Sequence, residues 1–136
     1  MIGIIGAMEE EVAELKKDMQ IDETIEQAGM VFCKGSLGGK DVVIVRSGIG
    51  KVNAAVCTQI LIDVFDVKAV INTGIAGSLK AEINIGDLVI SSDLVHHDMD
   101  AVSFGYPKGQ IPQMDVFSFE ADKTMACLLY TSDAAD

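Results

Sequence analysis

Directly behind the first apolar run of the chain stand Met8 and three consecutive glutamates, Glu9, Glu10 and Glu11. A carboxylate at the start of a helix stays ionised, because the positive end of the helix dipole favours the anion. An ionised carboxylate can activate a water by taking its proton, or face a cationic, oxocarbenium-like transition state. Three acids in a first helical turn also serve as caps, and that is the commoner use. Successive helical residues lie about 100° apart, so only one of the three can face a given point.

Other clusters carry weaker chemistry. His96, His97, Asp98 and Asp100 form a metal-like group, but adjacent strand residues point to opposite faces, so the two histidines do not share an ion. Gly48-Ile49-Gly50-Lys51 resembles part of a phosphate loop. Val45 stands where the first glycine of such a loop is required, and Val52 where a Ser or Thr is required, which rejects an ATPase. As a dinucleotide fingerprint the same stretch ends on Asn53 in place of glycine. No GxSxG is present, so acyl transfer by serine has no support. Cys33 and Cys57 sit in apolar patterns and are expected to be inert core. Phe104 and Tyr106 are either loop anchors or a substrate lid.

These residues must be positioned by the elements around them. Three apolar stretches run straight into glycine turns: Met1–Ala7, Val42–Gly50 and Ala69–Gly77. In open α/β sheets ligands bind at such strand exits. Met1–Gly6 is expected to be a buried strand. Glu9–Met19 follows as a helix with Val12, Leu15 and Met19 on one face and lysines in its later part. Thr24–Ala28 and Met30–Leu37 are strands around Gly29, and Gly38-Gly39 turns the chain into Asp41–Ser47. Lys51–Phe65 is a helix, with Val52, Val56 and Ile60 as its apolar stripe. Val67–Thr73 is a further buried strand, Gly74–Leu79 a glycine loop, and Asp87–Val95 another strand. A long loop covers Asp98 to Val116, and a last helix starts near Phe119–Ala121. The order gives an α/β fold with a mixed central β-sheet flanked by helices.

The 136 residues suffice for one domain. An apolar content of 49% excludes a disordered chain. No apolar run reaches the roughly 18 residues of a membrane span, and the apolar start lacks a basic lead-in; both favour the cytoplasm. A net charge of −11 repels phosphate backbones, so nucleic acid is not an expected partner. The last ten residues, Cys127–Asp136 (CLLYTSDAAD), match the translation of a transposase sequencing adapter. Residues 1–126 are therefore expected to be the native, N-terminal part of a single domain, and 127–136 a non-native tail.

The segments IGIIGAMEEEV, SGIGKVNAA, INTGIAGSL, IGDLVIS and FGYPKGQIP stand in this order between Met1 and Ala126. In sequence and spacing they resemble the 5′-methylthioadenosine/S-adenosylhomocysteine nucleosidases of the purine nucleoside phosphorylase superfamily. The resemblance implies an α/β domain of nucleoside phosphorylase type, incomplete here at its C-terminus, that forms homodimers. It implies hydrolysis of an N-glycosidic bond to give adenine and a thioribose, with no metal or organic cofactor. Glu11 matches the glutamate that activates the attacking water. Met8 and Ile49 match substrate-pocket residues, and Ile75, Ala76 and Gly77 match the turn lining the ribose and water site. Relatives carry serine where this chain has Ile75, which leaves backbone contacts there. Phe104, with Ala101 and Pro112 beside it, matches the lid that closes over the neighbouring subunit's substrate. The family's acid for the leaving base and its ribose-gripping glutamate belong to the later half and are missing here. The chain as it stands is therefore expected to be inactive and to leave apolar faces uncovered.

Two rivals remain at this stage. A phosphate-dependent nucleoside phosphorylase of the same superfamily would typically carry arginine at position 72 and Ser or Thr at position 75, where this chain has Asn72 and Ile75. A non-catalytic nucleoside-binding domain would have no need of an activating carboxylate at Glu11.

Overall fold

A computed structural model of the chain describes residues 1–127. The chain divides into two compact units, Met1–Leu79 and Lys80–Asp136. The first is built on a five-stranded sheet of β1 (Ile2–Gly6), β2 (Gln20–Gln27), β3 (Met30–Leu37), β4 (Lys40–Arg46) and β5 (Ala69–Asn72), ordered β2-β3-β4-β1-β5. Strand β1 runs parallel to both neighbours, with Ile4 opposite Ile44 and Ile71, while β2, β3 and β4 form an antiparallel meander. The sheet is mixed, as the order of apolar runs and glycine turns implies.

Both hairpins of the meander close in two residues, pairing Gln27 with Met30 and Leu37 with Lys40. Gly38 and Gly39 both have positive φ, 56° and 74°. A turn of that hand matches the twist of the flanking strands, and glycine adopts it without a side-chain clash.

The two faces of the sheet receive one helix each. Ile5, Phe32, Val43 and Val45 pack with Cys57, Ile60 and Leu61 of helix α2 (Lys51–Asp63), and with Phe65 and Val67. Their immediate neighbours Ile4, Cys33 and Ile44 point the other way and, with Val42, pack with Val12 of helix α1 (Glu9–Asp18) and Met19. This is the period-two alternation of strands buried on both sides. The Phe32 and Phe65 rings stack with centroids 5.2 Å apart. A Cβ on Gly3 would lie 2.9 Å from Leu61 Cδ1, so the bare backbone of β1 is what lets α2 settle. Cys33 and Cys57 are buried, as expected from their apolar surroundings, and desolvation pushes the Cys57 thiol up to about 11.

Five expectations need correction. The strand expected over Val67–Thr73 covers only Ala69–Asn72 and is not buried: β5 is the edge of the sheet, with Val70 and Asn72 exposed, because its pairing to β1 and not a covered face holds it. The apolar stripe of α2 is Cys57, Ile60 and Leu61; Val52 and Val56 are exposed. Apolar residues surround this helix on most sides, so spacing alone does not say which face the sheet takes. Strand β2 begins four residues before Thr24, because its ladder to β3, and not a buried face, holds it. Of Asp87–Val95 only Asp93–Leu94 is a strand, β6; Leu88 and Val89 are exposed, so the segment has no buried face to fix it. Phe119–Glu120 is strand β7, paired with β6 inside the second unit, and helix follows only at 123–127. Of the expected non-native tail, Cys127 is exposed and the rest lies outside the described residues.

Candidate active site at the strand exits

Parallel strands β4, β1 and β5 end on one edge of the sheet, with Gly6 opposite Arg46 and Ile5 opposite Asn72. The chain leaves β1 into α1 on one face and leaves β4 into α2 on the other. Where neighbouring parallel strands diverge to opposite faces, a crevice opens beyond their carboxyl ends. Two main-chain bonds between strands hold the exits together. Ser47 N–H donates to the Gly6 carbonyl at 2.9 Å, and Thr73 N–H donates to the Ile5 carbonyl at 2.9 Å. Ser47, the buried polar residue of this core, donates its hydroxyl to the Gly48 carbonyl at 2.9 Å. The turn after β4 is pinned further by Asn53, whose Nδ2 donates to the Ile49 carbonyl at 2.8 Å.

The glutamate triplet fans out from the first turn of α1. Glu9 pairs with Lys16 at 3.0 Å and faces Arg46 at 3.8 Å; Glu10 is exposed. Glu11 alone turns back over the strand exits. Its Oε2 accepts from Ala7 N–H at 2.7 Å and from Met8 N–H at 2.9 Å. Its Oε1 accepts from Ile75 N–H, in the loop after β5, at 3.1 Å. The bond to Met8 is the backward half of a capping box, since Met8 is the N-cap of α1. The bond to Ile75, 64 residues away, is not a cap.

One carboxylate thus ties the exit of β1 to the exit of β5. The N–H groups of Met8 and Ile75, then that of Ala7, stabilise the anion and hold its pKa below the usual glutamate value against a smaller opposing effect of desolvation. A carboxylate has about four acceptor positions. Among the described residues three are filled, and the fourth is on Oε1, where a water can be held. The fold brings Gly6 close enough for this: a Cβ there would lie 2.7 Å from Val12 Cγ1 and 3.0 Å from Glu11 Cβ.

Of the residues singled out in the sequence, the structure joins Glu11 to Met8 and Ile75 through their main-chain N–H groups. Ile49 lies on the turn after β4 at the same edge and is 75% exposed; Ala76 and Gly77 follow Ile75 and are exposed. In the second unit, Ala101 is buried, Phe104 ends a short 3-10 turn and is 81% exposed, and Pro112 is half-buried. Among the described residues no group of three or more His, Cys, Asp or Glu is placed to hold a metal ion, and His96 instead meets the Phe119 ring edge-on. No helix among them is long and apolar enough to cross a membrane. The sequence did not single out Ala7 or Gly74 as partners of Glu11. Ala7 acts through its main chain and Gly74 through an absent side chain; the glycine turns were the available signal.

Comparison with known proteins adds three findings. The family model of the phosphorylase superfamily matches residues 1–135. A Staphylococcus haemolyticus protein named 5′-methylthioadenosine/S-adenosylhomocysteine nucleosidase is 51% identical over 125 residues, 92% of this chain and 54% of the relative. Two solved nucleosidases of that name superpose closely. That of Colwellia psychrerythraea, in complex with adenine, has a TM-score of 0.92 and 47% identity over 96% of this chain and 53% of its own. That of Neisseria meningitidis, in complex with methylthio-immucillin-A, has a TM-score of 0.94 and 38% identity over 98% of this chain and 58% of its own. The chain spans about half the length of the curated relatives it matches.

Proposed function

The chain belongs to the phosphorylase superfamily, and on that premise we propose that its protein is a hydrolase that cleaves the N-glycosidic bond of 5′-methylthioadenosine and S-adenosylhomocysteine. The products are adenine and a thioribose. The observation that carries this reading is the Glu11 carboxylate: ionised, clamped by three main-chain N–H groups at the crevice, with one acceptor position left for a water. The names of the relatives support the substrate class.

In the reaction, Oε1 of Glu11 orients the water and takes its proton as the oxygen attacks the sugar carbon that carries the base. The same negative charge stabilises the oxocarbenium-like transition state. The departing adenine needs a proton. We assign that donor, and the group gripping the ribose hydroxyls, to the part of the relatives' length that this chain does not span. Met8 and Ile49 line the nucleoside site, and the backbone of Ile75, Ala76 and Gly77 lines the ribose. Water in place of phosphate as nucleophile fits Asn72 and Ile75, which offer neither the arginine nor the hydroxyl expected of a phosphate site.

We further assign the protein to the cytoplasm as a homodimer. The exposed apolar residues Ile49, Val52 and Val56, along the start of α2, suit contact with a second copy. Phe104, helped by Ala101 and Pro112, is assigned as the lid over the partner's substrate.

The test is Glu11→Gln in the protein at its full natural length, followed by adenine release from 5′-methylthioadenosine. The expected loss in kcat is about 10²–10⁴-fold, the usual contribution of a general base. Undiminished release by this variant would remove Glu11 from the mechanism, and a requirement for inorganic phosphate would replace hydrolysis by phosphorolysis.

A further inference from the structure

The loop after β5 is clamped on both sides of Gly74. Thr73 N–H donates to the Ile5 carbonyl at 2.9 Å, and Ile75 N–H donates to Glu11 Oε1 at 3.1 Å. Between these bonds the main chain passes directly against the Glu11 carboxylate. A Cβ built on Gly74 would lie 2.7 Å from Glu11 Cδ and 3.1 Å from Oε2, and closest of all to Oε1. Real side chains do not tolerate such separations, so one partner would have to move. The loop is tied to β1 through Thr73, whereas the carboxylate is the far end of a flexible side chain. An added methyl group is therefore relieved by swinging the carboxylate away, not by displacing the strand exit.

We propose that Gly74 is a positioning residue whose missing side chain is the space occupied by Glu11 Oε1, and that it thereby fixes where the attacking water is held. The catalytic consequence rests on the reading of Glu11 given above; the positioning itself does not. Oε1 carries the one unfilled acceptor position, so the displaced oxygen is the one that matters. The displacement also breaks the bond from Ile75 N–H, the second-largest influence holding the Glu11 pKa down.

The experiment is a double-mutant cycle of Gly74→Ala and Glu11→Asp in the protein at its full natural length, with carboxyl carbon NMR of residue 11 and steady-state kinetics. In Gly74→Ala the Glu11 carboxyl is expected to titrate at higher pH than in the parent. A misplacement of about 1 Å is expected to lower kcat by about 10²-fold, with KM little changed. Aspartate is one methylene shorter and vacates the space, so Gly74→Ala is expected to cost at most about twofold in that background, a strongly non-additive cycle. An unchanged Glu11 titration, or an equal loss in both backgrounds, overturns the proposal. So does failure of Gly74→Ala to fold in both backgrounds, which would make Gly74 a purely structural residue. If the parent itself releases no adenine, the hydrolase reading falls, while the Glu11 titration still decides the role of Gly74.

Discussion

Among the described residues the hydrogen bonds to Glu11 come from main-chain donors, so the identities of Ala7, Met8 and Ile75 matter less to the anion than the path of the backbone. This accounts for an isoleucine at position 75 at no cost to the clamp. The sign of the pH dependence follows from the same bonds. The folded chain lowers the Glu11 pKa from its ordinary value of 4.5. Stability from this group is therefore present above that ordinary value and is lost as pH falls through the lower folded one. Catalysis by the ionised form has the same limb. The acid limb that Glu11 protonation imposes on the rate of adenine release is expected to have its midpoint below pH 4.5. A profile of kcat/KM against pH checks this, and an acid limb centred well above 4.5 would assign the essential base to a different group. From the sequence, the glutamate at the strand exit was legible, because acids after an apolar run mark a helix start. Its reach to Ile75 was not, since no local pattern encodes a contact across 64 residues.

At the level of elements, the first unit was largely legible because its strands are short apolar runs closed by glycine turns, a pattern that survives without tertiary information. The failures have a common physical origin: they fall where a segment's apolar residues do not single out one face. Helix α2 is apolar on most sides, and the sheet selects Cys57, Ile60 and Leu61 over Val52 and Val56. Strand β2 is the reverse case, mostly polar and exposed apart from Ile25, and held by its hydrogen-bond ladder to β3. Residues 87–91 are not paired in a ladder and are mostly exposed, so high apolar content alone did not make them a strand. The corrected face of α2 yields its own prediction. Leu61 is fully buried against β1 at Gly3, so Leu61→Ala is expected to destabilise the protein by about 2–5 kcal/mol. Equilibrium urea unfolding measures this. The matching truncation Val52→Ala, on the exposed side, is expected to cost much less in a monomer, and an equal cost would mean the helix is turned differently.

For the molecule as a whole, the sheet has each face covered by one helix, yet large apolar side chains remain exposed outside that core, among them Ile49, Val52 and Phe104. In the first unit Ile49 and Val52 stand close in sequence at the start of α2, and exposed apolar surface of this kind marks a place of contact. If the start of α2 meets a second copy, Val52→Asp in the protein at its full natural length is expected to shift sedimentation from dimer to monomer. Adenine release should fall with it, because a lid contributed by the partner would be lost. An unchanged dimer would place the subunit contact elsewhere. The three exits at the carboxyl edge also act as a ruler. Adjacent strands in a sheet are about 4.8 Å apart, so the turns after β4, β1 and β5 together span roughly 10 Å. A molecule gripped by all three has its length set by the pitch of the sheet, on the scale of one purine joined to one pentose. Anything attached beyond the pentose must overhang that edge. If the proposed function holds, the rigid lattice would measure the nucleoside and leave the size of the trailing substituent ungauged.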